Sequence, residues 1–128
     1  MRFLLDTQAF LWFVLADSRL SPAAEATIAN PSHEIEISPA TYWEIAIKIS
    51  LHKYSLPEPY EVFIERQIRQ NDFRILPIQP QHTAALIGMP FHHRDPFDRL
   101  LIAQAIVENI PMVSADPGFD AYAIRRVW

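Results

Sequence analysis

The chain has 128 residues, half of them hydrophobic, which suits one domain with a true apolar core. It contains no cysteine, so disulfides, thiolate zinc sites and cysteine nucleophiles are excluded. Net charge is −4, from 11 basic and 15 acidic residues, so any contact with nucleic acid must rest on local groups or a metal rather than on a global positive field.

The start, Met1-Arg2-Phe3-Leu4-Leu5, meets Asp6 too soon for a secretory apolar region, and no run reaches a membrane span. A cytoplasmic location is expected. Residues 2–6 read as a short buried strand and 7–16 as an apolar helix. Ser21-Pro22 opens a second helix, with Ser as N-cap and Pro in the first turn, ending near Asn30-Pro31. Residues 33–38 alternate polar and apolar and read as a strand. Ser38-Pro39 opens a helix to about His52, and 58–71 form another with Tyr60, Phe63, Ile64 and Ile68 on one face. Residues 73–78 read as a strand, 80–88 as a short helix, Asp95-Pro96 as the start of a helix to about Asn109, and 111–114 as a last buried strand. A turn or short helix and Arg125-Arg126-Val127-Trp128 follow.

Strands alternating with helices predict a single α/β domain over 1–128, with a parallel central sheet of four or five strands between helix layers. The strands at 2–6 and 112–114 lack period-two alternation, as central strands covered on both faces do. Function in such sheets gathers at the carboxyl ends of the strands. Asp6 and Asp116 both fall there.

Four acids stand at switches between elements: Asp6, Glu44, Asp98 and Asp116. Each also has a plain structural role open to it. Asp6 can cap helix 7–16, Asp95 can cap the helix that holds Asp98, and Asp116-Pro117-Gly118 is a turn sequence. Glu44 and Lys48 can pair four residues apart on a helix, a contact worth only about 0.2–0.5 kcal/mol. Glu44 lies in an apolar helix, however, and Asp98 shares a face with Leu101, Ile102 and Ala105. Acids in such places are cheapest when they line a cleft, and their repulsion is most simply offset by divalent cations. That points to phosphodiester hydrolysis. An aspartyl-phosphate scheme needs a second Asp where Gln8 stands, and Gly88 and Gly118 cannot make a glycine-rich nucleotide loop after the first strand.

Four stretches carry a resemblance: Phe3-Leu4-Leu5-Asp6-Thr7; Ser38-Pro39-Ala40-Thr41-Tyr42-Trp43-Glu44-Ile45; the segment from His93 to Ala105, with Arg94-Asp95-Pro96-Phe97-Asp98-Arg99 at its start; and Ser114-Ala115-Asp116 followed by Phe119 and Tyr122. In this order they resemble the PIN-domain ribonucleases, and among them the VapC-like toxins of bacterial toxin–antitoxin pairs. The resemblance implies a three-layer fold and a Mg²⁺- or Mn²⁺-dependent endoribonuclease. Asp6 and Asp98 would be the firmest metal ligands, with Glu44 and Asp116 completing the pocket around one ion or two. Ser114 would orient a water or a carboxylate, and Asp95 would have an outer-shell role beside its cap. It also implies RNA as substrate, a small antitoxin as partner, and a homodimer.

Arg94 and Arg99 flank the third motif and are candidates for substrate phosphate; exposed charge beside a cap is the plain reading. Lys48 would neutralise Glu44 or touch RNA. His92-His93 reads as loop. Trp12 and Trp43 read as core or interface, and the helices at 7–16 and 22–30 carry apolar positions (Ala23, Ala24, Ala26, Ile28, Ala29) that can pack on a partner. The alternative function is a non-catalytic PIN-like module for protein interaction or RNA binding, in which the acids only cap helices.

Overall fold

A computed structural model describes residues 1–128. The chain runs β1 (Arg2–Leu5), α1 (Thr7–Val14), α2 (Pro22–Ala29), β2 (Glu34–Ile37), α3 (Pro39–Ser50), α4 (Tyr60–Gln70), β3 (Arg74–Ile75), α5 (Pro80–Ile87), α6 (Pro96–Glu108), β4 (Met112–Val113), a 3-10 turn (Pro117–Ala121) and β5 (Arg126–Val127). All strand pairs are parallel and the sheet order is β3-β2-β1-β4-β5. The register sets Phe3 beside Ile35 and Leu5 beside Val113. The parallel α/β expectation holds, with a fifth strand contributed by Arg126–Val127.

The side chains of β1 explain the layering. Successive strand residues face opposite sides of a sheet. Phe3 and Leu5 accordingly join one apolar cluster, with Phe10 of α1, Ala24 and Ile28 of α2, and Phe63 and Ile64 of α4. Leu4 joins the other, with Leu101, Ile102 and Ala105 of α6. The sheet is thus covered on both faces, giving three layers.

Local chemistry fixes the helix starts. Ser21 and Ser38 accept hydrogen bonds from the Ala24 and Ala40 amides at 3.0 and 3.1 Å, each with proline next in the chain. Asp95 accepts from Phe97 and Asp98, and α6 ends at Asn109 in the left-handed region, φ 54°. Residues 73–78 form a shorter strand than expected, Arg74–Ile75; Pro77 has no N–H to extend the ladder. The alternation in β2 does not mark a wet face, because Glu36 is buried too. Arg2 neutralises it with bonds of 2.6 and 3.0 Å, and also reaches Glu108 at 3.1 Å.

Between β1 and β4 the chain order reverses direction across the sheet. A crevice outside the carboxyl ends of the strands is expected at such a point. Asp6 leaves the end of β1 and Asp116 follows β4, so both stand at that crevice.

Candidate active site at the carboxyl edge of the sheet

Asp6 does two jobs. Its Oδ1 caps α1 by accepting the Ala9 amide at 2.7 Å, yet the carboxylate is only 7% exposed. Burial first, and then the charges of Asp116 and Glu44, push its pKa up to about 6, while the Ser114 hydroxyl and the Ala9 amide pull the other way. Glu44 comes from the middle of α3 and is 5% exposed. Its Oε1 accepts from the Thr7 hydroxyl at 2.7 Å, and its Oε2 pairs with Lys48 at 2.9 Å. The Glu44–Lys48 pair is therefore real, but Glu44 lies within the protein rather than on a free helix surface.

Asp98 sits in the first turn of α6, half-buried. Desolvation, then Asp95, Glu44 and Asp6, push it up to about 7, against a smaller pull from His93. Asp116 is exposed and caps the 3-10 turn, its Oδ1 accepting from Gly118 N at 2.8 Å. Its Oδ2 lies 3.0 Å from His93 Nε2. Burial works to raise its pKa, but His93, the Gly118 amide and Arg126 outweigh that and hold it below the ordinary carboxylate range. Ser114, fully buried, accepts the Asp116 amide at 3.1 Å while its hydroxyl serves Asp6.

The four acids are thus brought within reach of each other's charge at the carboxyl edge of the sheet. Ligand atoms of His93, Asp98 and Asp116 all lie within 4.8 Å of one another. Two ligands of one Mg²⁺ with bonds of about 2.0–2.1 Å stand at most about 4.2 Å apart, so a small closure of the Asp98 and Asp116 carboxylates would let both reach one ion. Carboxylate oxygens suit a hard divalent cation, Mn²⁺ as well as Mg²⁺.

Three residues went unseen in the sequence reading of the site. His93 lies in a loop, as expected, but its contact with Asp116 has no sequence signal beyond its place two residues before the Asp95 cap. Thr7 follows Asp6 directly, so its hydroxyl enters the cleft with that acid, and Thr41, fully buried, stands 3.4 Å from it. One expected contact is corrected. Arg99 is buried and turned from the cleft: it donates to the carbonyls of Pro90 at 2.9 Å and of Met89 and Leu86 at 3.4 Å, with Phe91 stacked 4.0 Å away. It braces the 88–95 loop and cannot meet phosphate. Arg94 is exposed and makes no ion pair. Asp95 is the cap, and the second-largest cause of Asp98's raised pKa. Trp43 is not core: it is 58% exposed and meets Phe97 edge-on, ring centres 5.1 Å apart. Of the α2 residues, Ala24 and Ile28 are core, while Ala23, Ala26 and Ala29 are exposed.

Fold and site together define a class: parallel three-layer α/β domains with a polyacidic cleft at the carboxyl edge of the sheet. Within it, the chain belongs to the PIN-domain family, whose profile matches residues 3–125. Solved structures agree on the fold. VapBC2 from Rickettsia felis, described as bound to a DNA fragment from its promoter, aligns at a TM-score of 0.69 and 14% identity, covering 98% of this chain and 97% of that one. VapBC-1 from nontypeable Haemophilus influenzae gives 0.61 and 17%, over 98% and 96%. FitAcB from Neisseria gonorrhoeae gives 0.59 and 15%, over 97% and 95%. No curated protein sequence matches the chain. The family resemblance drawn from the motifs is borne out.

Proposed function

We propose that this protein is a Mg²⁺- or Mn²⁺-dependent endoribonuclease that serves as the toxin of a toxin–antitoxin pair. The observation that carries the reading is the cluster of acids itself. Asp6 and Asp98 are pushed up to about 6 and about 7 by burial and by each other's neighbourhood, a repulsion that a divalent cation removes. Helix caps alone would not place Glu44 there, buried at mid-helix against Thr7.

Asp6 and Asp98 would hold the ion, with Glu44 and Asp116 completing the set. The chemistry that such an ion supplies is an acidified water and neutralisation of charge on the phosphoryl oxygens. The chain's own groups prepare the rest. Thr7 fixes the rotamer of Glu44, and Ser114 ties Asp6 to the backbone of Asp116. Arg94 stands free for substrate phosphate, and the exposed Trp43–Phe97 pair offers RNA bases an aromatic surface. An acidic chain with an acidic cleft suits an antitoxin whose tail carries Arg or Lys. A cavity of about 600 Å³ lined by Trp12, Phe13, Leu20 and Asn71 offers that partner a second foothold. A homodimer in the cytoplasm completes the reading.

The test is cleavage of RNA by the purified chain with Mg²⁺, Mn²⁺ or EDTA. Asp6→Asn and Asp98→Asn are each expected to lower the rate by about 10²–10³-fold, the scale of losing one charge-stabilising group. Undiminished cleavage by the double variant overturns the assignment. Absence of any divalent-ion binding by calorimetry would instead favour a non-catalytic module. Growth arrest on expression, relieved by a neighbouring small reading frame, tests the toxin role.

A further inference from the structure

Asp116 is the most exposed of the four acids. Its side chain is 46% exposed on the turn after β4, and a metal ligand must be kept within about 0.5 Å of its place to be useful. His93 supplies a hold. Its ring lies against Phe119 and Tyr122, with centroids 4.8 and 5.6 Å away, and its backbone N–H donates to the Tyr122 hydroxyl at 2.9 Å. Gly118 lets the ring come close. A methyl group there would stand 3.1 Å from His93 Cε1, 3.3 Å from Nε2 and 3.0 Å from Asp116 Oδ1.

The other ring nitrogen settles the tautomer. Nδ1 is buried and has no hydrogen-bond partner. A proton on it would be an orphaned donor, at a cost of about 1–3 kcal/mol. In the neutral ring the proton therefore sits on Nε2, facing Asp116. The same fact weighs against Nε2 as a metal ligand, because coordination would move the proton to Nδ1, where nothing accepts it.

We infer that His93 is a positioning residue: its Nε2–H donates to Asp116 Oδ2 and holds that exposed carboxylate turned toward the cleft for the cation. This rests on the metal-dependent reading above. It extends the site to a side chain on the loop before α6 and to the glycine that makes room for it.

The experiment is Mn²⁺ titration by calorimetry on the full chain and its variants. His93→Phe keeps a ring against Phe119 and Tyr122 but has no donor. His93→Gln restores a donor at similar reach. Loss of such a partner lowers metal affinity by about 10–100-fold, which is the effect expected for His93→Phe, with most of it regained in His93→Gln. Gly118→Ala, which drives a methyl into the ring and the carboxylate, should resemble His93→Phe, and carries the comparison should that variant not fold. In an Asp116→Asn background, His93→Phe should produce no further loss. Undiminished affinity in both His93→Phe and Gly118→Ala overturns the inference, as does failure of His93→Gln to recover it. A further loss in the Asp116→Asn background, or histidine ¹⁴N coupling in pulsed EPR of bound Mn²⁺, overturns it in favour of direct ligation. A wild-type chain that binds no Mn²⁺ removes the metal reading and this inference together. Normal wild-type binding with unaffected variants removes the inference alone.

Discussion

The two sides of the acidic cleft are held by opposite means. On the wall, Asp6, Glu44 and Asp98 come from a strand end, a helix middle and a helix start, and Asp6 and Asp98 are pushed up by burial first and then by neighbouring acids. On the rim, Asp116 is exposed and held down by His93 and the Gly118 amide. The wall is buried and electrostatically opposed; the rim is exposed and favoured by an imidazole and a backbone amide. A charge kept by a scaffold against its preference is where a cation gains most, whereas a charge kept by hydrogen bonds needs only to be aimed.

The strongest way to break this comparison is to neutralise one acid from each side. Asp98→Asn and Asp116→Asn should both depress cleavage, but at pH 8 in EDTA they should move Tm in opposite directions. Asp98→Asn relieves repulsion and should raise Tm, by about 3–5 °C per kcal/mol for a chain of this size. Asp116→Asn gives up the charge that His93 and Gly118 favour, and should lower it. Thermal melts of the two variants decide, and shifts of the same sign would dissolve the distinction.

The pH dependence sharpens it. Asp6 and Asp98 have folded values near 6 and 7 against an ordinary 3.8. Between about pH 4 and 7 the folded chain therefore holds more protons than the unfolded one, and stability falls as pH rises, by up to about 1.4 kcal/mol per pH unit for each group. Asp116 has the other sign: its contribution is present above its ordinary value and lost only as pH falls through the lowered one. Melts in EDTA should thus be lower at pH 8 than at pH 5.5. Mn²⁺ should restore more at pH 8, and Asp6→Asn/Asp98→Asn should flatten the slope.

Smaller effects mark the supports. Arg99→Met strips three carbonyls of their donor and should destabilise the chain by about 1.5–3 kcal/mol in urea unfolding. Asp95→Asn should alter stability by no more than about 0.5 kcal/mol, since Asn caps as well as Asp, while easing the charge that raises Asp98. A complete loss of cleavage in Asp95→Asn at unchanged Tm would move Asp95 from cap to wall.

What the sequence made legible was chiefly local. Ser21-Pro22, Ser38-Pro39 and Asp95-Pro96 announce helix starts through their own hydrogen-bonding groups. The unbroken apolar runs at both central strands announce a sheet covered on two faces. The wall acids stood out because they interrupt apolar stretches. The rim acid Asp116 stood out too, but its hold did not, because the contact between His93 and Asp116 joins two loops 23 residues apart and depends on Gly118 lacking a side chain. Arg99 misled for a geometric reason. Adjacent helix positions point about 100° apart, so a residue next to Asp98 faces away from what Asp98 faces. Trp43, read as core or interface, lies outside the core because it stands beside Glu44, and the face that buries the acid turns the indole out.

The sheet ends on both sides in strands of two residues, β3 and β5, each beginning with an arginine. Outer strands so brief, and flanked by charge, give an incoming extended peptide almost no ladder to zip onto. Growth of the sheet by strand addition, whether into aggregates or by a partner's borrowed strand, is closed off at both margins. Edges of this kind favour companions that grip the chain through helix surfaces and side chains, where sequence can be read, over those that add anonymous backbone.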